Sequence, residues 1–362
     1  MFDALARQQG LAFDPALGLG PARPGNVALH PVARRRALAD LGADARARLL
    51  GEPPPEVPPS RCQAAHPTDA ATAIGSFALR LGHFSATAVV DGPDAHGAAL
   101  AEELRAWAEA GAPSLAQKLA PDDPRIAATR LLLPPAACAC ALFGNRRDHP
   151  ALDWLARLAR RSAPSAPALA GGPKAGYCRA AVDVGAMALA CLTGDPQGFG
   201  LGLARYELLF RQMRIDGSWP EAAGYGALAL HVHVRHLAAA IALAELGTAQ
   251  GLDLYGARPG GRDLHRAVDV LLDALETAPA HYPGTGCGGA APAQMLTFLH
   301  PTPDGRHALA WTEPYLARFG ATPTGVRLRQ ALGARLRAAR PLRDDLLFGN
   351  ATALFAAPDD LR

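Results

Sequence analysis

The densest group of chemically capable side chains is the run H-V-H-V-R-H, which contains His231, His233, Arg235 and His236. On a helix, residues two apart point to different faces, so His233 shares a face with His236, and His231 shares one with Arg235. A chelating site would also need carboxylate or further imidazole ligands, and none can be placed beside these faces. We therefore expect no metal and no other cofactor.

A second group surrounds two of the six tyrosines. Tyr177 and Cys178 stand close to Lys174 and Arg179, and Tyr225 follows a D-G turn. A phenol can act as a general acid or base, or it can stack on a sugar ring. A thiolate beside cations can be a nucleophile. The alternatives are that the phenols pack in the wall of the fold and that Cys178 is a small apolar filler.

Three cations and one indole are candidates for binding a ligand. Lys174, Arg179 and Arg235 could neutralise a carboxylate, or they could simply be solvated. Trp219 could stack on a sugar or cap the core. The candidate binding set is Lys174, Cys178, Arg179, Trp219, His231 and Arg235.

The elements that must position these residues are helices. From about residue 65 onward, apolar residues recur at helical spacing, Gly/Pro clusters separate the segments, and no period-two alternation is present. Such a succession predicts paired helices packed around a common core, in a solenoid or a toroid. The predicted helices include 98–110, 153–161, 177–193, 199–214, 222–247, 263–277, 307–319 and 325–339.

Composition narrows the class of protein. The chain has 362 residues, of which 49% are hydrophobic, so it can form one large helical domain. A net charge of +3 is too small to predict nucleic-acid binding. No run reaches eighteen apolar residues, so we expect no membrane span. The six cysteines have no zinc spacing, and Cys191 is expected to be a core thiol.

The chain divides into three predicted parts. Residues 1–60 form an N-terminal arm with a basic patch at 34–36 and a Pro-rich stretch at 52–59, which is expected to be extended. The arm is either a lid or a loosely packed extension. Residues 61–345 form the helical domain, and 346–362 form a C-terminal tail.

Several separated motifs resemble one family. Asp216, Gly217 and Pro220, followed by Gly251-x-Asp253-Leu254, resemble the D-G-x-L-P-x-E turn, long helix and G-x-D-L of the alginate lyases. The segment 308–319 resembles that family's A-W-L-E-P-Y, including Glu313 and Tyr315, for which we expect a structural role. Further matches are Trp154-Leu155 with Leu158-Ala159 and, more weakly, Leu104–Ala108. The resemblance spans about 65–320.

This resemblance implies an all-α fold, an incomplete (α/α) toroid of paired antiparallel helices, with a cleft that binds a uronic-acid polymer. The family cleaves that polymer by β-elimination, which requires a neutralised carboxylate, a base for the C5 proton and an acid for the leaving oxygen. It also implies a monomer in the periplasm or outside the cell. If Met1 is the true start, the chain has no signal peptide and is expected to be cytoplasmic.

The catalytic residues of the family do not recur in this chain. The family's N-N-H falls on Gly176, Tyr177 and Cys178, its Arg on Tyr225 and its Tyr on Val232. The histidine that follows this Tyr is kept as His233. The resemblance therefore favours Tyr225, His233 and Tyr177 as the catalytic candidates.

The family motifs are retained while the family's catalytic residues are missing, and this combination is compatible with three functions. The first is a lyase with a rewired site that cleaves an acidic oligo- or polysaccharide. The second is a non-catalytic relative that binds a glycan or a protein. The third is a cytoplasmic enzyme of another class that acts on a small molecule, because function belongs to the site and not to the fold.

Overall fold

The structure, a computed structural model, describes residues 31–63, 66–113, 123–143, 150–162, 175–277, 280–285 and 292–361. It is almost wholly helical there, as predicted, and its only strands are two of two residues each. The helices are α1 (Pro31–Leu38), α2 (Ala43–Leu50), α3 (Pro67–Asp91), α4 (Pro93–Glu109), α5 (Pro124–Phe143), α6 (Pro150–Ser162), α7 (Ala175–Thr193), α8 (Pro196–Gln212), α9 (Pro220–Ala223), α10 (Ala229–Ala249), α11 (Leu264–Leu275), α12 (Thr312–Phe319), α13 (Pro323–Ala339) and α14 (Ala351–Phe355).

Four helices form the inner layer of the fold. Helix α3 packs on α5, α5 on α7, and α7 on α10. Each of the four also packs on the helix that follows it in the second layer, namely α4, α6, α8 and α11. Two concentric layers of paired helices are the arrangement that the repeated helical pattern predicts.

The inner helices are apolar on nearly every face because other elements surround them. In α10, every residue from Leu237 to Leu246 is buried, including Glu245. By length and composition, helix α3, residues 124–142 and residues 226–249 could each span a membrane, contrary to the expectation from apolar runs. Most of their residues are buried inside the fold, so packing between helices accounts for this hydropathy.

Proline and short polar caps begin several helices. Pro196 and Pro323 stand in the first turn of α8 and α13, where a missing N–H costs nothing. The Asp195 side chain accepts a hydrogen bond from the Gln197 N–H, and the Thr322 hydroxyl accepts one from the Gly325 N–H. These local signals explain why the helix starts can be read from the sequence.

A C-terminal segment, which we term the axial hairpin (residues 343–350), inserts among the inner helices. Strands β1 (Arg343–Asp344) and β2 (Gly349–Asn350) pair antiparallel around the 3₁₀ turn Asp345–Leu347. That turn contacts α3, α5, α7 and α10. The expected tail at 346–362 therefore starts inside the hairpin, where Leu346, Leu347 and Phe348 are buried.

The described part of the N-terminal arm docks on this C-terminal segment. The Asn350 side-chain amide donates to the Leu49 carbonyl, and Arg343 donates to the Leu50 and Glu52 carbonyls. Of the Pro-rich stretch 52–59, residues 53–58 have no regular secondary structure, and Pro59 begins the 3₁₀ helix Pro59–Gln63. The end of α2 and the residues after it thus pack against the axial hairpin.

Candidate functional site

Helices α7 and α10 begin at the same end of the fold. They pack side by side, and the Cys191 thiol near the end of α7 is hydrogen-bonded to Gln250 at the end of α10. Since both helices rise about 1.5 Å per residue, the first turn of α7 lies at the level of the second turn of α10. The fold therefore places the backbone of Tyr177, Cys178 and Arg179 near the H-V-H-V-R-H run. The side chains of these three residues, and Lys174 altogether, lie outside the described residues.

The D-G turn that precedes α10 has a backbone reason for both of its residues. The Asp216 carboxylate accepts hydrogen bonds from the Ser218 N–H and hydroxyl, which closes the turn. Gly217 has φ 92°, and a Cβ there would lie 2.5 Å from the Arg266 carbonyl oxygen. Only glycine fits such a position without strain. The motif therefore anchors the start of α9 and α10 against α11.

Trp219, next to this turn, lies in the core. It is 2% exposed, its indole N–H donates to the Leu209 carbonyl at 2.9 Å, and its ring stacks on His236. Its backbone N–H donates to the Tyr282 hydroxyl at 2.7 Å. The expectation that Trp219 stacks on a sugar is corrected, because the ring presents no open face.

His233 lies in the same buried cluster and not on a cleft wall. Its Nδ1 is 3.0 Å from the Tyr282 hydroxyl and its Nε2 is 2.8 Å from the Ala267 carbonyl oxygen. The carbonyl can only accept, so Nε2 bears the proton and Nδ1 accepts from the hydroxyl. Burial lowers the pKa of His233 to about 3, so the ring is neutral. The expectation that His233 faces the cleft is corrected, since both ring nitrogens are occupied inside the core.

A second face of α10, which we term the open face, is only partly buried. In its first two turns Val232, His233, Val234 and His236 are buried, whereas His231 and Arg235 are only partly buried. Residues 231 and 235 are one turn apart, so their side chains share this open face as predicted. Tyr225, half-buried against the core, caps the 3₁₀ turn Gly226–Leu228 that leads directly into α10.

His231 is poised as a neutral imidazole. Its Nδ1 has no hydrogen-bond partner among the residues that the structure describes. Burial, and then the nearby Arg235 guanidinium, lower the pKa of His231 from its usual value. An imidazole of this kind remains unprotonated at neutral pH and can accept a proton.

The axial hairpin supplies acidic partners behind this face. Arg235 donates to the Asp344 carboxylate, and Arg306 donates to Asp345 at 2.8 Å and to the Gly75 carbonyl at 2.7 Å. Both aspartates are buried, and burial raises the pKa of Asp345. Sequence reasoning missed these acids, since Asp344 lies 109 residues from Arg235 along the chain and no local pattern joins them.

Two family-matched residues have structural partners. Both Glu313 carboxylate oxygens lie 2.9 Å from the Arg340 guanidinium, and the Tyr315 hydroxyl is 2.8 Å from the His265 ring. Cys191 is fully buried, as expected, and burial raises its pKa. Within the described ranges, no three His, Cys, Asp or Glu residues are placed to hold a metal ion.

One described cavity, of about 500 Å³, lies away from these groups. It opens between α2, the residues that follow α2, and the C-terminal half of α3. Its wall includes Arg80, His83, Phe84 and Asp91, and none of the candidate site residues lines it.

Comparison with known proteins agrees with the fold. Residues 141–281 match the sequence profile of the alginate lyase family. No curated protein matches the chain. The structure is similar to alginate lyase A1-III from Sphingomonas species A1, with 21% identity, a TM-score of 0.70 and coverage of 96% of this chain and 97% of that one.

Two variants of alginate lyase A1-III, each complexed with tetrasaccharide, are similarly close. The first has 22% identity and the second 21%, both with a TM-score of 0.71 and the same coverage of 96% and 97%. The expected toroid is thereby confirmed. The central segment 141–281 thus matches the alginate lyase family, and the chain as a whole has the fold of alginate lyase A1-III.

Proposed function

We propose that this protein is a polysaccharide lyase that cleaves an acidic, uronate-containing glycan by β-elimination, and that His231 is its general base. The family and its fold support the reaction class. Structures of an alginate lyase with tetrasaccharide support a saccharide ligand. The open face of α10, with Tyr225, His231 and Arg235, supports the location of the site.

The proposed reaction needs only proton transfers and one bond cleavage. A cation neutralises the uronate carboxylate, which makes the C5 proton acidic. The base removes that proton, a C4–C5 double bond forms, and the C4–O glycosidic bond breaks. An acid then protonates the leaving oxygen. The products are a sugar with an unsaturated end and a shortened chain.

The observation that most supports His231 is its combination of charge state and access. The imidazole ring is partly exposed and its pKa is lowered, while its Nδ1 is buried and has no hydrogen-bond partner within the described part of the chain. His233, which the sequence motif favours, has both nitrogens bonded in the core. A base must reach the substrate, so His231 replaces His233 in the proposal.

The other two roles fall to neighbouring residues. Tyr225 begins the turn before α10 and is our candidate acid, with Tyr177 at the start of α7 as the alternative. Arg235 shares the face of His231, and Arg179 and Lys174 stand in or next to the first turn of α7. We propose these three cations as the groups that neutralise the uronate carboxylate.

The test is an absorbance assay for unsaturated product ends with alginate, other polyuronates and glycosaminoglycans. We expect turnover of at least one of them. Replacing His231 with Gln should lower kcat by about 100-fold or more with little change in KM, since a general base acts in the transition state.

The matched control is His300→Gln, which changes an exposed histidine on a different element. It should retain the activity of the parent protein. If every glycan remains intact, the lyase proposal is wrong. If the two histidine variants lose activity equally, or neither does, His231 is not the base.

The sequence also favours a second candidate, a glycan-binding relative without turnover. Val232 stands where the family has its catalytic tyrosine, and it is buried. This candidate predicts that a uronate oligosaccharide binds in a calorimetric titration without forming an unsaturated end. It also predicts that Tyr225→Phe leaves the affinity unchanged.

A further inference from the structure

The strongest unassigned feature is the buried ion pair between Arg235 and Asp344. Asp344 is 2% exposed, and its partner comes from the open face of α10. The Asp344 carboxylate also accepts a hydrogen bond from the Leu346 N–H at 2.9 Å, which begins the 3₁₀ turn of the axial hairpin. Its position is therefore fixed by the hairpin backbone.

The hairpin itself is tightly held. The backbones of Gly82 in α3 and Gly349 in β2 meet so closely that a Cβ on Gly82 would lie 2.5 Å from the Gly349 Cα. The hairpin turn touches all four inner helices. An acid mounted on such an element is a rigid anchor for a long, flexible guanidinium.

Arg235 lies one helical turn from His231 on the same face, and its charge already acts on that imidazole. The charged and titratable groups at this place are Arg235 on α10, Asp344 and Asp345 on the axial hairpin, Arg306 behind Asp345, and the buried His307, which interacts with Asp344. Asp344 is the one that bonds Arg235 directly. It therefore fixes where the guanidinium lies and offsets part of its charge.

Resting on the function proposed above, we infer that Asp344 is a positioning residue, which holds the Arg235 guanidinium beside His231 in the orientation that the bound uronate requires. Asp344 does not touch the substrate, and it acts only through Arg235. The C-terminal hairpin is then part of the active site, although Asp344 lies 109 residues from Arg235 in the sequence.

A double-mutant cycle with Asp344→Asn and Arg235→Gln tests this inference. Asparagine keeps the shape and the oxygen that accepts from Leu346 while it removes the charge. We expect Asp344→Asn to lower kcat/KM by about tenfold or more when Arg235 is present. In the Arg235→Gln background, the same change should cost less than about threefold, because the partner is already gone.

The second readout does not require activity. The titration of the His231 ring, followed by NMR and assigned by the signal lost in His231→Gln, should move in opposite directions in the two variants. Asp344→Asn leaves the guanidinium charge less offset and should lower the pKa of His231. Arg235→Gln removes that charge and should raise the pKa.

The matched control is Asp183→Asn, which removes the carboxylate of a comparable ion pair with Arg205 between α7 and α8. It should leave the pKa of His231 unchanged.

If Asp344→Asn has equal effects on kcat/KM in both backgrounds, or none with Arg235 present, the positioning role is wrong. If Asp344→Asn does not fold, an unchanged His231 pKa in Arg235→Gln overturns the inference. Absence of any lyase activity, with opposite shifts of the pKa intact, would contradict the proposed function and leave the pairing supported.

Discussion

At the scale of single residues, His231 and His233 show how two adjacent imidazoles acquire different roles. The sequence motif favours His233, but its ring fills the space between Trp219, Tyr282 and the start of α11. His231 lies two positions earlier on the open face. A rotation of about 200° around the helix axis separates the two, so one is in the core and the other reaches solvent.

The buried His233 predicts a specific loss of stability in acid. Its pKa is about 3 in the folded protein, whereas an unfolded histidine titrates near 6.5. The unfolded state therefore binds the proton first, so the stability is fully present above about pH 6.5 and is lost as pH falls toward about 3. In that window His233 should contribute a slope of about 1.4 kcal/mol per pH unit to the free energy of unfolding.

Urea unfolding at several pH values between 4 and 7 measures this slope. In His233→Gln the dependence should be shallower than in the parent protein. An identical slope in both proteins would show that His233 protonates equally well in the folded state.

At the scale of elements, the N-terminal arm is attached by one side chain of the basic patch. Arg34 is 2% exposed, and it donates to the carbonyls of Ala353, Ala356 and Thr352. These carbonyls lie around the end of α14, where a helix leaves its last carbonyls without intrahelical partners, although the Thr352 carbonyl also accepts from the Ala356 N–H. The three arginines of the basic patch at 34–36 look equivalent in the sequence, but Arg34 has a structural role.

Replacing Arg34 with Met should destabilise the protein by about 2–4 kcal/mol, because three buried carbonyls lose a charged donor. The matched control is Arg36→Met, since Arg36 is exposed on the same helix, and it should change stability by less than about 0.5 kcal/mol. Chemical denaturation of the two variants gives the comparison. Equal stability of both would mean that α1 contributes nothing to the fold.

At the scale of the whole molecule, the axial hairpin joins α2 to the inner helices. It contacts α3, α5, α7 and α10, and its Arg343 and Asn350 side chains donate hydrogen bonds to carbonyls at the end of α2. Its close approach to α3 at Gly82 and Gly349 leaves no room for a side chain. The axial hairpin therefore fills the space between the inner helices, and the spacing of apolar residues in the sequence does not predict it.

Two glycine substitutions should have opposite signs. Gly82→Ala places a methyl group against the Gly349 backbone, and this overpacking should cost about 1–3 kcal/mol. Gly200 lies inside α8 with nothing within 4 Å of an added Cβ, so Gly200→Ala should stabilise the protein by about 0.5–1 kcal/mol. Thermal unfolding of both variants decides the point, and a stabilising Gly82→Ala would contradict the close packing of hairpin and helix.

The helices themselves were predictable because their causes are local. The predicted segments 177–193 and 263–277 agree closely with α7 and α11, since apolar spacing and Gly/Pro turns act over a few residues. The turn at Asp216-Gly217 could also be predicted, because its hydrogen bond joins residues only two positions apart. The sequence does not predict which face of α10 is buried, because apolar residues occur on almost every face of this helix.

The sequence by itself determined an all-helical protein with paired layers, the D-G entry into α10 and the run of residues that contains the candidate site. Only the tertiary structure decided that His231 and Arg235 stay partly exposed while Trp219 and His233 lie in the core. It also decided that Asp344 pairs with Arg235, which lies 109 residues away along the chain. The physical reason is that burial and ion pairing between distant segments depend on how layers pack, whereas helix formation depends on neighbouring residues.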